Sequence, residues 1–381
     1  MHFVLFLLLS FFTLFSSNVQ AQIDTAAKQA FVMDYETGLV LLDKNADEHM
    51  PTSSMSKVMT MYLVFEALQK GQISLDTEFL VSEKAWRKTG SKMFVLVDKK
   101  VRVEDLIRGV VVQSGNDATI VLAEGLAGSE ELFVEALNRK AKELGMHNSK
   151  FNNASGWPEP EHYSTARDLA TLARAMIKDF PEYYHYYNET EFEYAKINQK
   201  NRNPLLYVDI GADGMKTGHT DIGGYGLIGT GLNKEGRRIV MVLNGMKSKT
   251  ERKTESIRVL QWAMNSFAII SLFKNQAVLD SVEIYLGRHE KVGLRAANQL
   301  DIIVPRFHVK DIEVQIEYNN PIKAPIKKGQ TLGIARVNVP GYEQKLEVPL
   351  IANKAVKQLP LALRLITKAR LATTGKGRFN D

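Results

Sequence analysis

A serine hydroxyl is a weak nucleophile until a base takes its proton. Ser54-Met55-Ser56-Lys57 sets an amine three residues after such a hydroxyl, at the head of an apolar run with helical spacing. At i and i+3 on a helix both side chains share one face, so the Lys57 amine reaches the Ser54 hydroxyl. The helix N-terminus also favours negative charge developing beside Ser54. Two further polar triplets follow in order, Ser114-Gly115-Asn116 and Lys216-Thr217-Gly218. The chemistry these residue types allow is nucleophilic catalysis by a serine hydroxyl that an adjacent amine activates.

Each triplet taken singly recurs. Ser271-Leu272-Phe273-Lys274 repeats the first, Lys88-Thr89-Gly90 the third, and Ser16-Ser17-Asn18 the second. Context selects among the copies. Ser271 lies downstream of every partner, at the start of a β-rich region. Lys88-Thr89-Gly90 follows charged residues and reads as loop, whereas Lys216-Thr217-Gly218 sits between Asp213-Gly214 and the glycine-rich Gly223-Gly224-Tyr225-Gly226-Leu227. A motif on a strand there would present Lys216 and Thr217 along an open edge, where an extended peptide lies. Ser114-Gly115-Asn116 separates two helical patterns and reads as a loop facing the first motif.

The elements that must hold these residues divide the chain. Residues 29–34 and 38–42 read as strands around Tyr35-Glu36-Thr37. Helical spacing follows at 55–68, 103–112, 118–124, 132–144 and 165–177. Strands return at 225–231 and 238–245 around the hairpin turn Asn233-Lys234-Glu235-Gly236, and a helix at 251–267 closes the region. This is an α+β domain, a sheet packed against a helical part. From 269 to 351 the pattern turns all-β, with alternation at Ile312, Val314, Ile316 and Tyr318 and again at Val337 and Val339, as in a small sandwich. The expected limits are a signal peptide at 1–21, a catalytic domain at 22–268, a β domain at 269–352 and a basic tail at 353–381.

The apolar run from Phe3 to Phe15, ending in Val19-Gln20-Ala21, reads as a cleaved export signal and is shorter than the roughly 20 residues of a spanning helix. The chain has no cysteine, which excludes disulfides, thiol nucleophiles and cysteine-based zinc sites. Its eight histidines are scattered without metal-ligand spacing, so neither a metal nor any other cofactor is expected. Net charge is +6, and the segment from Ile351 to Asp381 alone carries seven basic residues against Asp381. The body is therefore neutral, which argues against nucleic acid as partner. A cationic tail with Leu361, Leu365 and Ala369 at helical spacing fits an anionic membrane surface or wall.

These motifs resemble those of the low-molecular-mass penicillin-binding proteins, the serine D-alanyl-D-alanine carboxypeptidases. The likeness runs through 51–60, 112–118 and 213–220, and includes Asn153-Ala154-Ser155-Gly156 and His162-Tyr163-Ser164-Thr165-Ala166-Arg167-Asp168. It implies a DD-peptidase/β-lactamase-like catalytic domain, an exported enzyme of the periplasm or the outer face of the cytoplasmic membrane, peptidoglycan pentapeptide stems as substrate and β-lactams as covalent inhibitors. It implies Ser54 as nucleophile, Lys57 as base with its pKa lowered by burial and by Lys216, and Ser114 and Lys216 as the proton path to the leaving D-alanine. Asn116 would hold the substrate amide, and the backbone N–H groups of Ser54 and His219 the oxyanion. Thr217, beside Gly218, and an arginine would take the terminal carboxylate, with Arg202 and Arg238 (or its neighbour Arg237) as candidates. No Glu-x-x-Leu-Asn segment lies between the second and third motifs, which argues against efficient penicillin hydrolysis. A D,D-endopeptidase uses the same site, and a non-catalytic penicillin-binding wall or membrane scaffold is the reading from another class.

Overall fold

The computed structural model describes residues 23–274, 277–340 and 345–374, so the expected signal segment and the last residues of the tail lie outside it. The chain divides into two compact units, Ile23–Asn265 and the part from Ser266 onward.

In the first unit, strands β1 (Gln29–Asp34), β2 (Val40–Lys44), β7 (Ala212–Thr220), β8 (Gly224–Leu232) and β9 (Arg238–Met246) form one antiparallel sheet in the order β2-β1-β9-β8-β7. Short hairpins β3 (Glu78–Leu80) with β4 (Lys100–Arg102) and β5 (Glu191–Tyr194) with β6 (Ile197–Lys200) lie outside it. Two turns make the long strands adjacent. Gly224 has φ +67°, and Gly236 has φ +80° in the β8–β9 turn, where Asn233 Oδ1 accepts from the N–H groups of Glu235 and Arg237. Both glycines occupy left-handed backbone that side chains with a Cβ disfavour.

Helices α1 (Lys57–Gln69), α3 (Val103–Val111), α4 (Asn116–Ala127), α5 (Glu130–Glu143) and α6 (Ala166–Asp179) build the helical part, with the short α2 (Glu83–Arg87) beside them. The first of these is apolar nearly all round and buried accordingly. Strand β9 is covered on both faces. Val240 and Val242 join the main core with α1 and α6, while Ile239, Met241 and Leu243 are equally buried on the face where α7 (Lys249–Asn265) packs. Strand β7 stays at the sheet edge, so one side of its backbone is free for another chain.

The second unit is β-rich. A six-stranded sheet, β14-β16-β17-β12-β11-β15, is built from β11 (Asp280–Tyr285), β12 (Lys291–Ala296), β14 (Glu313–Tyr318), β15 (Ile322–Lys323), β16 (Thr331–Asn338) and β17 (Leu346–Ala352). β10 (Phe267–Leu272) pairs with β13 (Leu300–Pro305), and Ile302 and Val304 of that pair pack with Val337 and Val339. Along β14 the expected alternation does not bury Val314, which stays exposed. The first tail residues belong to this body, since Val356 bridges to Ile326 and Gln358 to Gly287. α8 (Leu361–Thr374) follows, exposing Leu361, Leu365 and Ile366. Among the described residues no helix is long and apolar enough to cross a membrane.

Leu350 is fully buried in the core of the second unit. Leu350→Ala is expected to destabilise it by about 2–5 kcal/mol. Thermal unfolding should then show an earlier transition, with covalent labelling of Ser54 by a penicillin unchanged.

Candidate active site

Ser53–Ser56 forms a 3-10 turn that runs into α1. In a 3-10 turn residues i and i+3 eclipse. Lys57 Nζ accordingly lies 2.9 Å from Ser54 Oγ. The same amine lies 2.7 Å from Asn116 Oδ1 and 2.6 Å from the Ser155 carbonyl. A neutral amine has two N–H bonds and one lone pair. Given to Asn116 and Ser155, the two N–H bonds leave the lone pair for the Ser54 hydroxyl. Burial pulls the Lys57 pKa down to about 7, and Arg202 and Lys88 push the same way against Asp117.

Asn116 opens α4 and is fixed by the loop before it. Its N–H donates to the Ser91 carbonyl at 2.7 Å and its amide to the Thr89 carbonyl at 2.8 Å. Asp117 accepts from the N–H groups of Met93 and Phe94, each at 2.8 Å. The Lys88-Thr89-Gly90 copy is thus a loop, and one built into the wall of the site. Ser114, at φ +61°, turns its hydroxyl to within 3.0 Å of Lys216 Nζ. Burial holds Lys216 well below the usual lysine range, reinforced by Lys57, Arg202 and Arg252.

The third side of the site is the 153–157 loop. Asn153 Oδ1 accepts from Ser155 N–H at 3.1 Å and from Trp157 N–H at 3.0 Å. Gly156 has φ +75°, and a Cβ there would stand 1.8 Å from the Ser53 carbonyl oxygen. This close approach aims the Ser155 carbonyl at Lys57. A buried histidine supports the nucleophile's turn from below. Asn152 N–H donates to His162 Nδ1 at 3.2 Å, so the ring proton sits on Nε2 and faces Ser56 Oγ at 2.9 Å. Ser56 in turn bonds Thr52 across the turn that carries Ser54. Burial, with the Lys57 charge, lowers His162 to about 4, so it stays neutral.

An open cleft of about 360 Å³ joins Ser54, Asn116, His219 and Thr220 with Gly90, Ser91, Trp157 and Asp221. Strand β7 carries Lys216, Thr217, Gly218 and His219 along it. Arg202 reaches the rim, donating to Ser91 Oγ. Arg238 is placed elsewhere. Its guanidinium grips both oxygens of Asp213 at 2.8 and 2.6 Å and lies over the Tyr184 ring, clamping the start of β7. Arg237 is buried towards Asp34 and the Ala263 carbonyl.

The cation beside the Lys-Thr-Gly strand is instead Arg252, on α7. It is buried, donates to the Gly218 carbonyl at 3.3 Å and lies over the Tyr225 ring. Burial, with Arg202 nearby, lowers its pKa to about 10. Its surroundings in the sequence, Lys249-Thr250-Glu251-Arg252-Lys253, read as a solvated helix face, so no local signal marks it.

Fold and site together define a penicillin-binding serine acyl-transferase. Residues 16–247 match the D-alanyl-D-alanine carboxypeptidase family, and residues 267–358 match the C-terminal domain of penicillin-binding protein 5. The chain is 37% identical over 342 residues to D-alanyl-D-alanine carboxypeptidase DacC of Escherichia coli K12, spanning 87% of this chain and 84% of that one. To DacF of Bacillus subtilis it is 33% identical over 339 residues, spanning 87% of this chain and 86% of that one. The crystal structure of DacD from Francisella tularensis is similar with a TM-score of 0.76 and 32% identity, covering 89% of this chain and 96% of that chain. Penicillin-binding protein 5 from Haemophilus influenzae gives 0.71 and 33% identity, covering 88% and 99%. The chain belongs to the serine D-alanyl-D-alanine carboxypeptidase family of low-molecular-mass penicillin-binding proteins.

An amine takes up a proton only in its neutral form, so with Lys57 as the base for Ser54, labelling by a fluorescent penicillin should rise with pH through about 7. Arg202→Ala removes a positive neighbour, which raises the Lys57 pKa, so the rising limb should move to higher pH. A limb that stays in place would show that Arg202 does not act on the base.

Proposed function

We infer that this protein removes the terminal D-alanine from peptidoglycan stems ending in D-Ala-D-Ala. The 2.9 Å approach of the Lys57 amine to Ser54 Oγ carries this reading. Ser54 Oγ attacks the carbonyl carbon of the penultimate D-alanine while its proton passes to Lys57 Nζ. The carbon–nitrogen bond then breaks, and the leaving amine takes a proton along Ser114 and Lys216. Water hydrolyses the ester that remains on Ser54. The backbone N–H groups of Ser54 and His219 take the oxyanion, a large contribution in such chemistry. Asn116 holds the substrate amide, and a β-lactam follows the same first step to a covalent penicilloyl ester.

The terminal carboxylate is received by Thr217, Arg252 and Arg202. Lys57, Lys216, Arg202 and Arg252 converge on the site, and among the described residues no carboxylate pairs with Arg252. Such a pocket favours an anionic ligand. Export through the 1–21 signal would put the enzyme in the periplasm or on the outer face of the cytoplasmic membrane. α8 then docks on an anionic bilayer through Leu361, Leu365 and Ile366 with Arg364, Lys368 and Arg370, a two-signal attachment of apolar area and charge.

D-alanine release from a soluble pentapeptide is expected from the wild type and absent in Ser54→Ala. Separation of cross-linked dimers into single stems with no D-alanine released would indicate an endopeptidase, and neither reaction, with penicillin labelling intact, an acylation-only binder. Arg252→Ala should lower kcat/KM by about 30-fold or more, the loss of a buried charged contact of at least about 2 kcal/mol. A chain ending at Leu359 should no longer sediment with phosphatidylglycerol vesicles while keeping its activity.

A further inference from the structure

Beyond the reacting atoms the cleft continues between two walls of different origin. One is the end of β7, with His219, Thr220 and Asp221, and the other combines Gly90 and Ser91 with residues 155–158. On the strand wall Asp221 is exposed, and among the described residues its carboxylate takes no ion pair. On the other wall Trp157 is 38% exposed, and Lys88 Nζ stands 5.1 Å from its ring centre. Lys88 likewise takes no carboxylate partner among the described residues, and its charge is felt at Lys57. Asp221 thus offers an anion on one wall and Lys88 a cation on the other, with the Trp157 face next to the cation.

The position of these groups along the substrate follows from the strand geometry. A stem laid against the free edge of β7 with its carboxylate near Thr217 and Arg252 extends towards Asp221, advancing about 3.3 Å per residue. The residue before the acylated D-alanine, the third of the stem, therefore lies beside His219, Thr220 and Asp221. We propose that this part of the cleft reads the side chain of that third residue, Asp221 receiving an ammonium group and Lys88 a carboxylate across the Trp157 face, so that a diamino-dicarboxylic residue is preferred to a simple diamine. The proposal rests on the carboxypeptidase reading and names its substrate class. It invokes one charge that both side chains share and one that only the dicarboxylate has, so the two contributions separate.

The test compares D-alanine release from two pentapeptides that differ only at the third residue, L-lysine in one and meso-2,6-diaminopimelate in the other. The wild type should favour the second by about fivefold in kcat/KM, the scale of one partly exposed charge pair. Lys88→Met should bring the ratio of the two close to one. Asp221→Asn should lower both relative to penicillin acylation, a reaction without a third stem residue that reads any general effect through Lys57. A wild-type ratio of one or below, or a ratio untouched by Lys88→Met, would overturn the assignment and leave the carboxypeptidase reading standing. No release from either peptide, with labelling intact, would overturn that reading and the assignment with it.

Discussion

An ammonium group removed from water is expensive, and the active site is organised around making one give up its proton. Lys57 is fully buried, and among the described residues no carboxylate is hydrogen-bonded to its amine to keep it charged. Two acceptors hold its N–H bonds and a hydroxyl meets its lone pair. Each comes from a different stretch of chain: Asn116 from the start of α4, Ser155 from a glycine-dependent loop, and Ser54 from the turn before α1. The helical part and the sheet need to meet closely at this point for the amine to stay dry. That requirement explains why the largest core cluster lies directly around α1.

The same dry pocket gathers more positive charge than it balances. Lys216 is held below its normal range by burial and by its neighbours, and Arg252 is buried against the Gly218 carbonyl and a tyrosine ring. Positive charge gathered in this way favours an anionic ligand. Arg202 links binding and base activation, since the same guanidinium at the rim also favours the neutral form of Lys57. Arg238 contributes at one remove. By gripping Asp213 it fixes the start of the strand that carries Lys216 and Thr217.

The second unit has its own core of Val282, Leu294, Ala335, Val348 and Leu350. Its last strand leads through the Val356 and Gln358 bridges into α8, on which Leu361, Leu365 and Ile366 are exposed. Burial within this body and exposure on the helix are what separate the folded module from α8, although both are rich in apolar residues.

Local chemistry was legible in the sequence because it depends on short spacing. The Ser54–Lys57 pair, the strand nature of Lys216-Thr217-Gly218, the Asn233–Gly236 turn and the change to β structure after the last catalytic-unit helix all follow from periodicity and residue type. The family likeness of the motifs likewise needed only their order. What the sequence left open depends on distance along the chain. Lys88-Thr89-Gly90 reads correctly as loop, yet only its contact with Asn116 makes it a wall of the site. Arg238 and Arg252 are alike as surface arginines until the fold turns one onto Asp213 and the other onto Gly218. His162 becomes a support for the nucleophile only through Ser56, 106 positions away. Hydrophobic and turn patterns encode which elements form, whereas the side chains that share a pocket are chosen by how those elements pack, and the tertiary structure alone decides that.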